Sequence, residues 1–131
     1  MRTLAPILFT LCLAVAGPLA FAGSGRVDPI MVKQLADVPG KEAMMITVTY
    51  EPGGADEIHR HDAHVFVYVL EGSIVMQVKG QPAVTLNAGQ SFYEAPDDIH
   101  VVGKNASSSE RAKFLVMLIK KTNASPVIPV K

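Results

Sequence analysis

The sequence predicts an all-β fold, either a sandwich or a small barrel. Short segments rich in β-branched residues recur at even spacing, with turn residues between them, which is the pattern of these two architectures. Outside the first residues, no segment of useful length has the period of an amphipathic helix, and no internal repeat is visible. The 131 residues suffice for one domain with a single modest core.

The first 22 residues are expected to be a secretory signal peptide. Arg2 precedes an apolar run over residues 4–15, Gly17 and Pro18 end it, and residues 20–22 (Ala-Phe-Ala) fit the small-x-small rule for signal peptidase. The run is shorter than the roughly 20 residues that cross a bilayer; a retained membrane anchor is the alternative. Cleavage after Ala22 predicts a periplasmic or secreted protein with no membrane contact once the signal is removed.

Residues 23–43 form a lead-in without clear periodicity, in which Pro29, Pro39 and Gly40 interrupt any helix. The barrel is expected over residues 44–120. Its predicted strands are residues 44–50, 65–70, 74–79, 83–86, 91–94, 99–102 and 113–119, with a short arm at residues 58–61. The short link through Gly72 predicts a tight hairpin. Residues 121–131 are a tail that either adds an edge strand or stays loose.

Charge and cysteine content restrict the possible partners and ligands. The 12 Lys and Arg residues equal the 12 Asp and Glu residues in number, and no basic stripe is present. Nucleic acid and anionic membrane surfaces are therefore not expected partners. The single cysteine, Cys12, lies within the predicted signal, so the mature chain offers a metal only nitrogen and oxygen ligands.

The four histidines are grouped in a way that favours a metal site. His59, His61 and His64 lie close together, and His100 begins a later predicted strand. Residues two apart on a strand face the same side, so His59 and His61 are expected to direct both imidazoles at one point. Imidazole nitrogens bind transition metals at about 2 Å. His100 is the expected third ligand; the alternative is a set of solvated histidines.

Two groups of residues in this region follow the motifs of a known family. The first is a glycine pair, a His-x-His pair and a strand closed by a glycine: Gly53, Gly54, His59, His61 and Gly72. The second is a glycine, a strand, a proline turn, a histidine and an asparagine: Gly89, Pro96, His100 and Asn105. In order and spacing, both resemble the two motifs of the cupin superfamily, over residues 44–119.

The resemblance implies a single double-stranded β-helix, a jelly-roll-like cupin barrel built from two sheets, with one divalent transition metal ion at one end. It carries the ligand roles to His59, His61 and His100. Iron, manganese, zinc, nickel and copper all accept nitrogen and oxygen ligands, so the ligand types leave the metal open.

The resemblance also implies an acidic fourth ligand, which this sequence lacks at the matching position. Counting back from Gly72, that position is Val65, which cannot bind a metal. His64 lies one place earlier, and strict alternation turns it to the opposite face from Val65. The turn predicted at residues 62–63 leaves two roles open for His64, a fourth ligand or a residue at the rim.

Glu94 is the other candidate for the site. A carboxylate within a strand of a small barrel is costly unless it is paired or bound to metal. Glu94 is expected to complete the metal site, to act as a general acid or base, or to point outward into solvent. The period of two places Tyr93 on the face opposite to Glu94, so only one of these side chains is expected to enter the pocket.

These observations lead to three hypotheses about function, of which the last is a barrel with a vestigial site that is kept for dimer assembly. The first is a metal-dependent enzyme acting on a small organic molecule, of the dioxygenase, lyase, decarboxylase or isomerase type, with Val65, Val67, Val69 and either Phe66 or Phe92 as apolar walls. The second is a non-catalytic periplasmic module that binds or senses a small ligand or a metal. The resemblance to cupins and the two-sided apolar strand over residues 65–70 also imply a homodimer.

Overall fold

The computed structural model describes residues 25–131; the predicted signal peptide and Cys12 lie outside the described residues. The described part folds entirely into strands and connecting loops, which confirms the all-β prediction. No helix in this part is long and apolar enough to cross a membrane. The strands are β1 (Arg26–Gln34), β2 (Lys41–Tyr50), β3 (His59–Arg60), β4 (His64–Glu71), β5 (Ser73–Val78), β6 (Val84–Asn87), β7 (Ser91–Glu94), β8 (Ile99–Asn105), β9 (Ala112–Lys121) and β10 (Ile128–Pro129).

The strands form two antiparallel sheets that face each other. One five-stranded sheet, sheet A, has the order β1-β2-β9-β4-β7, and the other, sheet B, has the order β10-β3-β8-β5-β6. All pairings between these strands are antiparallel. The prediction of a double-sheet, jelly-roll-like barrel is therefore confirmed.

Strand β4 shows how the sequence builds the interior. Val65, Val67 and Val69 are almost completely buried, whereas the alternate residues Phe66 and Tyr68 are exposed. This alternation follows from the two-residue period of a strand. It fills the space between the sheets with aliphatic side chains and leaves aromatic rings on the outside. Phe66 therefore does not line the interior.

The sequence predicts that the segments before and after Gly72 pair with each other as a hairpin, and this prediction is wrong. Strand β4 pairs with β7 and β9, while β5 pairs with β6 and β8. The link through Gly72 carries the chain from one sheet to the other. Gly72 has φ 70°, and a Cβ added there would lie 2.6 Å from the Arg111 carbonyl oxygen. Only glycine suits this conformation and this close approach.

The lead-in contributes a strand that the sequence did not indicate. Strand β1 pairs along its length with β2 at the edge of sheet A, and its register shifts between Pro29 and Met31. A proline is tolerated on an edge strand or at a bulge because no ladder hydrogen bond is required of its nitrogen. At the other end of the chain, the tail adds β10 to the edge of sheet B.

Candidate metal centre

The structure brings three histidines together at one end of the barrel. His59 on β3 lies directly opposite His100 on β8 in the antiparallel ladder. His61 follows two residues after His59. One ring nitrogen of each of these three residues lies within 4.8 Å of the others. The expected convergence of two separate stretches of chain is therefore present.

Hydrogen bonds to backbone carbonyls orient each ring. His59 Nδ1 donates to the Glu57 carbonyl oxygen at 2.7 Å, and His61 Nδ1 donates to that of Pro126 at 2.6 Å. His100 Nε2 donates to the Val102 carbonyl oxygen at 2.6 Å. A ring nitrogen that donates to a carbonyl carries the proton, so in a neutral ring the other nitrogen presents a lone pair.

The three lone pairs point at a common region. His59 Nε2 and His61 Nε2 are 3.1 Å apart, although both nitrogens are acceptors in the neutral tautomers set by the carbonyls. Two facing acceptors require a proton or a cation between them. This donor set, three imidazole nitrogens held by outer hydrogen bonds, is one that divalent transition metals accept.

Glu94 provides a carboxylate beside the histidines. Strand β7 places it opposite Val65 on β4, the position at which the family's acidic ligand was expected. Glu94 Oε1 lies 3.4 Å from His100 Nδ1, and Oε2 lies 3.7 Å from His61 Nε2. Glu94 Oε2 and His100 Nδ1 are buried without a hydrogen-bond partner among the described residues. A divalent cation among these atoms would satisfy both.

Burial shifts the ionisation of these groups in opposite directions. It lowers the pKa of His100 to about 4, and the charge of a protonated His59 adds to this lowering. Burial likewise lowers the pKa of His61. Burial raises the pKa of Glu94 to about 7, with a smaller contribution from the Asp98 charge. At neutral pH His61 and His100 are therefore unprotonated and available as ligands.

His64 lies outside this group. Its ring is on the outer face of β4, where Nδ1 bonds the Tyr93 hydroxyl at 2.7 Å. The chain crosses from β3 in one sheet to β4 in the other around Asp62, which has φ 49°. Alternation along β4 then turns His64 away from Val65. Glu94 is 2% exposed and Tyr93 is 47% exposed, so only Glu94 enters the interior, as the period of two predicts.

Asn105, the asparagine of the second motif, has a structural position. Its side-chain amide donates to the carbonyl oxygens of Glu51 at 3.1 Å and Glu110 at 2.7 Å. Its Oδ1 accepts from the Ser107 backbone N–H at 2.9 Å. The residue thus fixes the loop that follows β8 to the end of β2.

Sequence reasoning missed three contributors to the site. The Tyr50 hydroxyl donates to the Asp56 carboxylate, which also accepts from the Gly25 backbone N–H at 3.1 Å. Burial raises the pKa of Tyr50, and the charge of Asp56 raises it further.

Gly103 is the second contributor, because a Cβ at this position would lie 2.9 Å from His100 Nε2, too close for the ring to keep its place. The Pro126 carbonyl comes from a tail that is distant in sequence, so no local signal announces it.

The histidines and Glu94 open onto a cavity of about 700 Å³ between the sheets. The remainder of its wall is largely aliphatic, from the inner faces of β2, β4 and β9. Val65 and Val67 line it as expected, whereas the other expected wall residues, Val69 and Phe92, do not. A cavity of this volume is within the range of small-molecule sites, about 300–1,000 Å³.

Comparisons with known proteins agree with the fold. The family model described as "Cupin domain" matches residues 46–118. A search of curated protein sequences finds no match. An oxalate oxidase structure in complex with the substrate analogue glycolate has TM-score 0.64 and 21% identity, covering 93% of this chain and 63% of that chain.

Two further solved structures have the same architecture. A cupin-like protein from Thermotoga maritima has TM-score 0.62 and 21% identity, covering 79% of this chain and 74% of that one. The DMSP lyase DddQ from Ruegeria pomeroyi DSS-3 has TM-score 0.58 and 19% identity, covering 66% of this chain and 42% of that one. The chain thus spans less than half the length of the lyase. At these identities the likeness concerns the fold alone.

Proposed function

The chain belongs to the cupin domain family, and we propose that it is an exported, metal-dependent enzyme that acts on a small organic molecule. The observation that carries this proposal is the set of three imidazole lone pairs that face one another within 4.8 Å at the end of a cavity of about 700 Å³. A metal held at that point would be adjacent to a space that accepts a ligand.

In this proposal His59, His61 and His100 hold one divalent ion. The backbone carbonyls of Glu57, Pro126 and Val102 keep the ligating nitrogens unprotonated and aimed inward. Such an ion, when bound, supplies Lewis-acid polarisation of a ligand oxygen or activation of water. A molecule bound against the aliphatic wall would displace water from the cavity, which would strengthen its electrostatic interactions with the site.

Glu94 is proposed as the fourth ligand. Its oxygens lie on the same side as the free nitrogens of His61 and His100, at 3.7 and 3.4 Å. Metal-bound atoms are separated by comparable distances when each bond is about 2 Å. Transposition of the carboxylate from β4 to the opposite position on β7 would compensate for Val65.

A Glu94→Gln variant tests this role. If Glu94 is a ligand, the affinity for Co²⁺ measured by calorimetry should fall by about tenfold or more. If Glu94 instead acts only as an acid or base toward a bound molecule, Co²⁺ affinity should be unchanged, and the ligand role would be rejected. Glu71→Gln, an exposed carboxylate on β4, is the matched control and should behave as wild type.

A non-catalytic binding or sensing module is the second candidate, because Glu94 gives the site four possible protein ligands. Water-proton relaxation of the Mn²⁺-loaded protein separates the two candidates. An enzyme needs an open coordination position, so at least one rapidly exchanging bound water is expected. A loaded site without exchangeable water would favour the binding module and contradict the proposed enzyme.

Export is proposed from the sequence of residues 1–22. Mass spectrometry of the protein recovered from the periplasm or medium of a Gram-negative host should give a mature N-terminus at Gly23. Recovery of the uncleaved chain from the cytoplasm or membrane fraction would argue against export while leaving the metal site unaffected.

A further inference from the structure

The inner face of sheet A is a grid of mainly apolar side chains, with the Glu94 carboxylate at one corner and the Tyr50 hydroxyl farther along β2. In one cross-strand row Val65 is opposite Leu118, and Leu118 is opposite Met44. Glu94 ends this row beside Val65. In the next row Val67, Val116 and Ile46 are opposite one another in the same way. Within these two rows Glu94 is therefore the only polar side chain.

The charged groups around the cavity are all acidic apart from the histidines. Among residues 25–131, no lysine or arginine lines it, whereas Asp56, Glu57 and Glu94 do. Asp56 is held by the Tyr50 hydroxyl and the Gly25 N–H, and Glu57 is exposed at the mouth. A negatively charged group at the end of a bound molecule that points away from the histidines would therefore find no lysine or arginine in the cavity wall.

These two observations define the class of molecule that the cavity accepts. We propose that the site takes a small, mainly apolar molecule with a single oxygen-donor headgroup that carries at most one negative charge, and that it rejects dicarboxylates of equal length. This inference rests on the proposed function, because the headgroup meets the metal ion held by the histidines. The apolar body lies along the row of Val67 and Val116.

The physical reason for the selectivity is the cost of an unpaired charge. One carboxylate on the molecule is balanced by the divalent ion, whose remaining charge is offset by Glu94. A second carboxylate would have to leave water and lie against aliphatic side chains, which is unfavourable without a partner. The methylene groups of the molecule pack against the same aliphatic side chains, and the favourable free energy of this contact is proportional to the apolar area that they bury.

The experiment compares hexanoate with adipate, which differ by one terminal carboxylate on chains of equal length. Calorimetric titration of the Co²⁺-loaded full-length mature protein should give hexanoate an affinity higher than that of adipate by about tenfold or more. A neutral probe, hexan-2-one, should compete with hexanoate. Equal or tighter binding of adipate by the loaded protein would overturn the inference.

Matched variants on β9 test whether the molecule lies in the cavity. Val116→Phe places a phenyl ring in the cavity, whereas Leu115→Phe places the same ring on the outer face of the same strand. Only Val116→Phe should weaken hexanoate binding, by about tenfold, while both variants bind Co²⁺ as wild type does. If Val116→Phe does not fold, Met44→Phe repeats the test, because the half-buried Met44 ends the row of Val65 and Leu118.

The controls separate this inference from the proposed function. Failure of the wild-type protein to bind Co²⁺ would contradict the proposed metal site itself. Normal Co²⁺ binding with no preference for hexanoate over adipate would leave that site standing and overturn only the substrate class. Unchanged hexanoate binding in both β9 variants and in Met44→Phe would also overturn it, because the molecule would then lie outside the cavity.

Discussion

At the scale of single residues, the proposed metal centre depends on groups that lie outside the histidine motif. The imidazole of His61 is oriented by a carbonyl of the C-terminal tail, and the carboxylate nearest the histidines lies on β7 instead of β4. Outer hydrogen bonds of this kind fix the tautomer and direction of a ligand. The His-x-His pattern alone therefore predicts candidate ligands but not the groups that orient them.

Prediction of the site from sequence was limited for the same reason. That His59 and His61 face the same side follows from the two-residue period. Of the three roles considered for Glu94, its burial excludes only the outward, solvated one. The position of His64 depended on the crossing from one sheet to the other around Asp62, which alternation along a single strand does not determine. Contacts such as that of Pro126 with His61 span 65 positions and leave no local pattern.

A buried ion pair makes a specific prediction about pH. Glu42 on β2 accepts a hydrogen bond from the Lys120 ammonium on β9 at 2.5 Å. This bond lowers the pKa of Glu42 below its ordinary value of 4.5. The pKa of Glu42 is lower in the folded protein than in the unfolded chain, so the ion pair stabilises the fold at pH values above the unfolded-state pKa. This stabilisation is lost as the pH falls through the folded-state pKa.

Glu42→Gln should therefore be less stable than wild type at about pH 7, and the difference should narrow at about pH 3. Urea unfolding midpoints at the two pH values provide the measurement. Glu71→Gln removes one partner of an exposed pair with Arg111 and should change stability little at either pH. A Glu42→Gln deficit that is the same at both pH values would contradict this account.

At the scale of elements, the strands that the sequence predicted are those with clear alternation or many β-branched residues. Residues 91–94 were predicted and are strand β7, and residues 65–70 lie within β4. Strand β1 was missed because Pro29 reads as a breaker, although an edge strand with a bulge accommodates it. The prediction of a hairpin around Gly72 was wrong because a short link with a glycine also allows the chain to pass from one sheet to the other.

The C-terminal tail connects the ion pair to the metal centre. Lys120 Nζ donates to the Ala124 carbonyl oxygen at 2.7 Å, which fixes the start of the tail. The Pro126 carbonyl then contacts His61, and β10 pairs with β3, the strand of His59. The tail thus closes one side of the site while remaining outside the central sheets.

Removal of residues 125–131 should lower metal affinity while the barrel stays folded. The deletion leaves Ala124 in place but removes the carbonyl that orients His61, so Co²⁺ affinity should fall by about tenfold. Calorimetry gives the affinity, and circular dichroism reports the strands. Removal of Lys131 alone is the control and should have no effect. Unchanged Co²⁺ affinity after the longer deletion would refute a positioning role for the tail.

At the scale of the whole molecule, one outer face is unusually apolar. Sheet A presents an aromatic patch, defined here as Phe66, Tyr68, Leu70 and Tyr93, each between 42% and 47% exposed. Exposed apolar patches of this kind mark interaction surfaces. Residues 23–131 contain 11 Lys and Arg residues and 12 Asp and Glu residues, so two copies repel each other little through net charge.

We therefore expect a homodimer that buries the aromatic patch. Light scattering after size-exclusion chromatography should give twice the mature mass, and Phe66→Glu should shift the protein to the monomer. Thr85→Glu places the same charge on an exposed position of β6 in sheet B and should leave the dimer intact. A monomeric wild-type protein would disprove this assembly.

The most direct test of the whole account is the metal content of untagged protein that has been purified without chelators from the compartment to which it is exported. Elemental analysis should find about one transition metal ion per chain in the wild type and in His64→Ala. His59→Ala and His100→Ala should each lose it, with affinity lower by more than about tenfold. A wild-type protein without stoichiometric metal, or equal loss in His64→Ala, would contradict the proposed centre.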